Sequence, residues 1–125
     1  MRPRDGVTIV STNRATLDDL QVYLRGAGVE ARCMRDLREC VASTPASTQA
    51  FVLFPDDFRW EKVVATLAEL AERRPTALPV LVTAHPQRFK TLTPPPSVLI
   101  VARPAWGWTI LDAIRAHYDQ HRAER

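Results

Sequence analysis

Two adjacent carboxylates follow an apolar run in the stretch FVLFPDDFRW, residues 51–60. Phe51 to Phe54 have the length and composition of a buried strand, and Pro55 interrupts the chain before Asp56 and Asp57. An acidic pair just past a buried strand suits phosphate chemistry or Mg²⁺, a hard cation that takes oxygen ligands. The same pair suits a helix N-terminus, where a side-chain oxygen accepts from a free backbone N–H and negative charge complements the helix dipole. Other residues offer less. His85, His117 and His121 fall in a connection and in the final helical pattern, and no Gly-x-Ser-x-Gly elbow accompanies them. Cys33 and Cys40 match no zinc spacing. A pair of reduced, partly buried thiols is expected, with a redox switch as the alternative. The GAG at 26–28 follows a helical pattern and precedes a strand, the reverse of a phosphate loop, and no glycine-rich turn follows the first strand. From these patterns we expect no enzyme, no cofactor and no metal.

Composition narrows the class. The chain has 125 residues, 46% hydrophobic and 25% charged, enough to bury a core without staples. Apolar runs are of strand length, so no membrane span is expected. The start, MRPRDGVTIVS, has no apolar core of signal-peptide length, which makes a cytoplasmic protein the expectation. Seventeen Lys and Arg face fourteen Asp and Glu, for a net charge of +3. The charges are interspersed and the basic ends, MRPR and HRAER, are short, which argues against a nucleic-acid footprint.

The elements that must position these residues alternate in type. The runs 7–11, 51–54, 78–84 and 97–102 are nearly continuous in apolar residues, as strands buried on both faces are. Residues 29–34 alternate, as an edge strand does. Leu17, Leu20, Leu24 and Ala27 share one helix face, with Thr12 or Asn13 as cap and the GAG as terminator. A short helix fits 36–43, capped by Asp36, with Leu37, Cys40 and Val41 inward. A third fits 60–74, with Val63, Val64, Leu67, Leu70 and Ala71 as its stripe. The last fits 105–120, with Ile110, Ala113, Ile114 and His117 on one face. Strand–helix alternation of this kind implies crossovers and a parallel sheet covered on both faces. The connection 85–97 has room for a turn or two of helix before three consecutive prolines end it.

VTIVSTN with its helix and YLRGAGVEAR, then LPVLVTAH, then VARPAWGWTILDAIRAHY stand in the order and spacing of a known family. They resemble the first strand to the second, the fourth strand, and the fifth strand with the last helix of the receiver domain of bacterial response regulators. The resemblance implies a single doubly wound α/β domain over 1–125, with its core at about 7–118. The sheet would have five parallel strands in the order 2-1-3-4-5, with the fourth helix shortened or lost.

The resemblance also places the family's phosphorylation pocket and shows it degenerate. The metal-binding acidic pair falls on Ser11 and Thr12, the phosphoacceptor aspartate on Pro55, the signalling Ser/Thr on Thr83 and the lysine on Arg103. Neutral hydroxyls and a proline cannot supply the charge or the nucleophile. Asp56 arrives one residue late, on the opposite face of an extended strand unless the chain bends, and Asp57 one two-residue step further out. One aspartate is expected to cap the third helix or to pair with Arg103, whose bond to Pro104 is commonly cis in the family. The function implied is a non-catalytic pseudo-receiver: a protein-protein interaction module in bacterial signalling or localisation, independent of aspartyl phosphorylation. The alternatives are an atypical receiver phosphorylated on Asp56 or Asp57, and a small-ligand or anion sensor using the emptied pocket. Phe89, Trp106 and Trp108 are the expected contact for a protein partner or a second copy, on the helix 4–strand 5–helix 5 side. The competing expectation is that the two tryptophans fold back over the pocket mouth or against the truncated fourth connection. Trp60 is expected to pack into the core or as a staple.

Overall fold

Four apolar runs and one alternating run pair as one parallel sheet in a computed structural model that describes residues 6–45, 47–91 and 98–123, with side chains to Asp119. The strands are β1 (Gly6–Val10), β2 (Glu30–Met34), β3 (Thr48–Leu53), β4 (Leu78–Thr83) and β5 (Leu99–Ala102). Their order is β2-β1-β3-β4-β5, the one that the resemblance implied. Ile9 stands between Cys33 and Val52, and Val52 pairs onward to Val80. The alternating run is the edge strand β2, and β3 begins at Thr48, three residues before the apolar run.

The period of two in the strands builds two cores. From β3, Ala50 and Val52 join Leu17, Leu20 and Leu24 of helix α1 (Arg14–Gly26) and Ile110, Leu111 and Ile114 of helix α5 (Gly107–Ala123). Phe51 and Leu53 point the other way. They meet Leu37, Cys40 and Val41 of helix α2 (Leu37–Ala42) and Val63, Leu67 and Leu70 of helix α3 (Trp60–Arg73). The buried stripe of α3 runs through Thr66, while Ala71 is exposed, so that helix is turned slightly from the expected face.

Local chemistry sets the helix ends. The Asn13 side chain accepts from the Thr16 N–H, and Asp36 caps α2 by accepting from the Arg38 N–H. Gly28 takes φ 83° after α1, a conformation that costs glycine little. At the far end of α2, the Arg74 guanidinium donates to the carbonyls of Val41, Thr44 and Pro45, tying the end of α3 to the end of α2. Helix α4 spans only Pro86–Lys90, shortened as expected. Of the connection 85–97, residues 92–97 lie outside the described residues, and so does the expected start of the fifth strand at Ser97. Helix α5 starts at Gly107, two residues later than its pattern suggested.

Candidate functional site

The C-terminal ends of β1, β3 and β4 lie side by side, with β3 in the middle. β3 stops at Leu53. The Phe54 N–H still donates to the Val10 carbonyl at 3.2 Å, and a 3-10 turn over Pro55–Asp57 then bends the chain. Opposite-face alternation ends at that bend. The turn sends its two carboxylates to opposite neighbours in the sheet: Asp57 to the end of β1 and Asp56 to the end of β4.

The two receptions share one design. Beside β1, the Ser11 hydroxyl donates to Asp57 Oδ2 at 2.5 Å and accepts from the Asn13 N–H at 3.0 Å; the Thr12 N–H points at the same Oδ2 from 3.3 Å. Beside β4, the Thr83 hydroxyl donates to Asp56 Oδ1 at 2.6 Å and accepts from the His85 N–H at 3.0 Å. The Ala84 N–H donates to Asp56 Oδ2 at 2.9 Å. Each clamp is therefore a hydroxyl plus the next backbone N–H. Ser11 and Thr83 are fully buried. The hydroxyls' orientations follow from burial: a buried O–H needs an acceptor.

Among the described residues, the Asp56 clamp alone has a cation in an ion pair. Arg103 Nη1 lies 3.6 Å from Asp56 Oδ2, the pairing anticipated for Arg103, and the Arg103–Pro104 peptide bond is cis. Burial pushes the Asp56 carboxyl up, but the Ala84 N–H, the Thr83 hydroxyl, His85 and Arg103 together outweigh it and hold its pKa below the ordinary 3.8.

The residues singled out in the sequence distribute as follows. Ser11, Thr83, Asp56, Asp57 and Arg103 converge by side chain, Thr12 contributes its backbone N–H, and Pro55 is the buried first residue of the turn. Neither aspartate caps α3. Its N-cap is Arg59, without a side-chain bond, because the turn has already committed both carboxylates to the strand ends. Phe89, expected on a partner surface, is 2% exposed. Its ring meets Trp60 at 5.1 Å in the α2/α3 core, so the short α4 turns it inward. Trp106 and Trp108 are 67% and 54% exposed and do not fold back over the site. They flank Gly107, where an added Cβ would come within 2.9 Å of the Tyr23 ring, so the absent side chain lets α5 start against α1. That contact places the tryptophan pair by the α1/α5 seam, with Tyr23 itself 38% exposed.

This arrangement does not fit a hard divalent cation. Asp56 has both oxygens engaged, Asp57 Oδ2 faces two donors, and a guanidinium stands where positive charge would have to enter. Among the described residues, no three His, Cys, Asp or Glu side chains converge. The cysteines are free. Burial, then Glu69 and Asp36, push Cys40 up to about 12 against the pull of Arg74. Burial and then Asp18 raise Cys33, which Arg25 partly offsets. Neither thiol is activated as a thiolate.

No protein-family model and no curated protein matches the sequence. Solved structures do match over nearly the whole chain. A CheY-like response regulator receiver domain protein from Methanospirillum hungatei superposes with a TM-score of 0.80 at 16% identity, covering 98% of this chain and 99% of that one. The chain has the receiver-domain fold. A signal receiver domain of an HD domain-containing protein from Pseudomonas fluorescens shares the receiver fold with a TM-score of 0.77 at 16% identity, covering 96% and 98%. So does a response regulator from Burkholderia pseudomallei that carries a phosphorylated aspartic acid, a calcium ion and citrate, with a TM-score of 0.75 at 15% identity over 96% of this chain and 72% of that one. Among the described residues, no helix of this receiver fold is long and apolar enough to cross a membrane.

Sequence reasoning missed two parts of the site. The Ala84 N–H is a backbone donor, which side-chain patterns do not mark. The second is a cavity of about 160 Å³ beside the Asp56 clamp, where Phe58, Trp60 and Phe89 meet His85 and Arg88. A cation beside aromatics in FRW and in HPQRF was its only trace.

Proposed function

We propose that this chain is a non-catalytic pseudo-receiver: a cytoplasmic interaction module of bacterial signalling or protein localisation that works without aspartyl phosphorylation. The observation that carries this reading is the Asp56 clamp. The resemblance puts the phosphoacceptor at Pro55, which has no nucleophilic oxygen, and puts the signalling hydroxyl and the cation at Thr83 and Arg103. Both already hold the chain's own Asp56 carboxylate. The first acidic pair is replaced by Ser11 and Thr12, which hold Asp57 instead of a metal. One domain folded around this closed edge serves as a scaffold, and function lies in its surfaces.

The exposed Trp106 and Trp108 are the surface we assign to a protein partner or a second copy of the chain, since tryptophan dominates binding energy at interfaces. Incubation with a small phosphodonor and Mg²⁺, followed by intact mass, is expected to leave the protein unmodified. A stoichiometric phosphoryl adduct that disappears in Asp56→Asn or Asp57→Asn overturns the reading in favour of an atypical phosphorylated receiver. Trp106→Ala with Trp108→Ala is expected to abolish self-association or partner capture while the circular dichroism spectrum stays unchanged.

A further inference from the structure

The cavity beside the Asp56 clamp has a composition that the clamp does not explain. Its walls are the turn after β3 and the β4–α4 segment, the two pieces of chain that the Thr83 and Ala84 bonds to Asp56 draw together. Phe58 and Trp60, both half-buried, supply apolar surface, and the buried Phe89 backs Trp60 from the core. The Arg88 guanidinium lies 4.1 Å from the centre of the Trp60 ring. Stacking uses the face of a guanidinium and leaves the N–H groups in its plane available. Those groups meet no carboxylate among the described residues: Asp56 lines the same cavity, yet its ion pair is with Arg103. His85 adds a second nitrogen base at the rim. A cation over an aromatic ring, without a carboxylate partner among the described residues, is poised for an anion, and the apolar lining for whatever carries that anion.

We infer that this cavity binds a small organic anion, a carboxylate or phosphate ester on a single flat apolar ring, with Arg88 taking the oxyanion and the half-buried Phe58 and Trp60 taking the ring. The size supports a fragment-sized ligand, since pockets for larger ligands run to about 300–1,000 Å³. The site lies against Pro55, where the resemblance puts the phosphoacceptor, and the inference holds whether or not the chain docks a partner through its tryptophans.

The test uses the full chain carrying Trp106→Phe and Trp108→Phe, which leaves Trp60 as the sole tryptophan of three. Its emission is followed while benzoate, phenyl phosphate, benzyl alcohol and inorganic phosphate are added separately. A saturable change is expected with benzoate, phenyl phosphate or both, and the stronger of the two identifies the head group. Benzyl alcohol, which lacks the charge, and inorganic phosphate, which lacks the ring, are expected to bind at least about tenfold more weakly. Arg88→Gln is expected to weaken the ring anion by a similar factor, and Arg88→Lys, which keeps charge but not the planar stack, by less. Arg115→Gln, an exposed cation on α5 across the sheet, leaves binding unchanged. Circular dichroism verifies that each variant is folded. The inference fails if neither ring anion saturates, if benzyl alcohol binds as well, or if both Arg88 variants bind like the parent.

Discussion

The clamps on Asp56 and Asp57 are built alike and differ in one component. Each carboxylate receives a buried hydroxyl at the end of a neighbouring strand and the backbone N–H that follows it. Asp56 receives Arg103 as well. The hydrogen-bond geometry differs in the same direction: the Ala84 N–H reaches its carboxylate at 2.9 Å, the Thr12 N–H only at 3.3 Å. Hydroxyl and amide donors suffice to seat a carboxylate at a strand end. Against burial, the Ala84 N–H and the Thr83 hydroxyl do most to hold the Asp56 carboxyl below its ordinary pKa, with Arg103 adding least, and they tie β3 to the β4–α4 segment, which forms one wall of the aromatic cavity.

The largest expected effect is at the stronger clamp. Asp56→Ala removes two charge-assisted hydrogen bonds and the ion pair, and we expect about 2 kcal/mol less stability in urea denaturation at neutral pH, partly offset by water at this half-open site. The folded chain holds Asp56 ionised below its ordinary pKa of 3.8, so this contribution is complete above that value. It is lost as pH falls through the lower folded value. The gap between wild type and Asp56→Ala should therefore narrow in acid below about pH 4 and stay constant above it. A gap that widens on acidification would break the comparison. Asp57→Ala, without a cation to lose, is expected to cost about 1 kcal/mol. Equal costs at the two positions would mean that Arg103 adds nothing.

A third hydroxyl sharpens the point. Thr8 on β1 is as buried as Ser11, but among the described residues its Oγ1 has no partner. A buried hydroxyl without a hydrogen bond is unfavourable, so Thr8→Val is expected to raise stability by about 1 kcal/mol. The smallest effect is at Arg103. Its side chain is 41% exposed and 3.6 Å from Asp56, so Arg103→Gln should cost about 0.5 kcal/mol or less, falling further with added salt. It should also bring the cost of Asp56→Ala closer to that of Asp57→Ala.

Much of this was legible in the chain because it is local and periodic. The runs VTIVS, FVLF and LPVLVTA could only bury both faces, which implied a parallel sheet, and Asn13 and Asp36 were readable as caps from residue type. The pairing of Arg103 with an aspartate was readable from the receiver resemblance, which puts Arg103 in the same pocket as Asp56 and Asp57. The cap assigned to Asp56 or Asp57 was not realised. An aspartate ahead of a helix has several acceptable partners, and two buried hydroxyls competed better than the N–H groups of α3. Phe89 was misplaced because a five-residue helix carries too little periodicity to define its inner face.

By itself, the sequence determined the strand and helix types, the shortening of α4, and which charges and hydroxyls end the strands. Apolar period, proline and side-chain chemistry act within a few residues and need no tertiary context. Only the folded chain decided where those groups point. Sheet order sets the ends of β1 and β4 on either side of β3, and a three-residue turn divides Asp56 and Asp57 between them. The same placement leaves Arg88 over the Trp60 ring with no acid partner among the described residues, and Trp106 and Trp108 outside the core. These are contacts between residues far apart in the chain, fixed by which strands neighbour one another and not by the residues' own preferences.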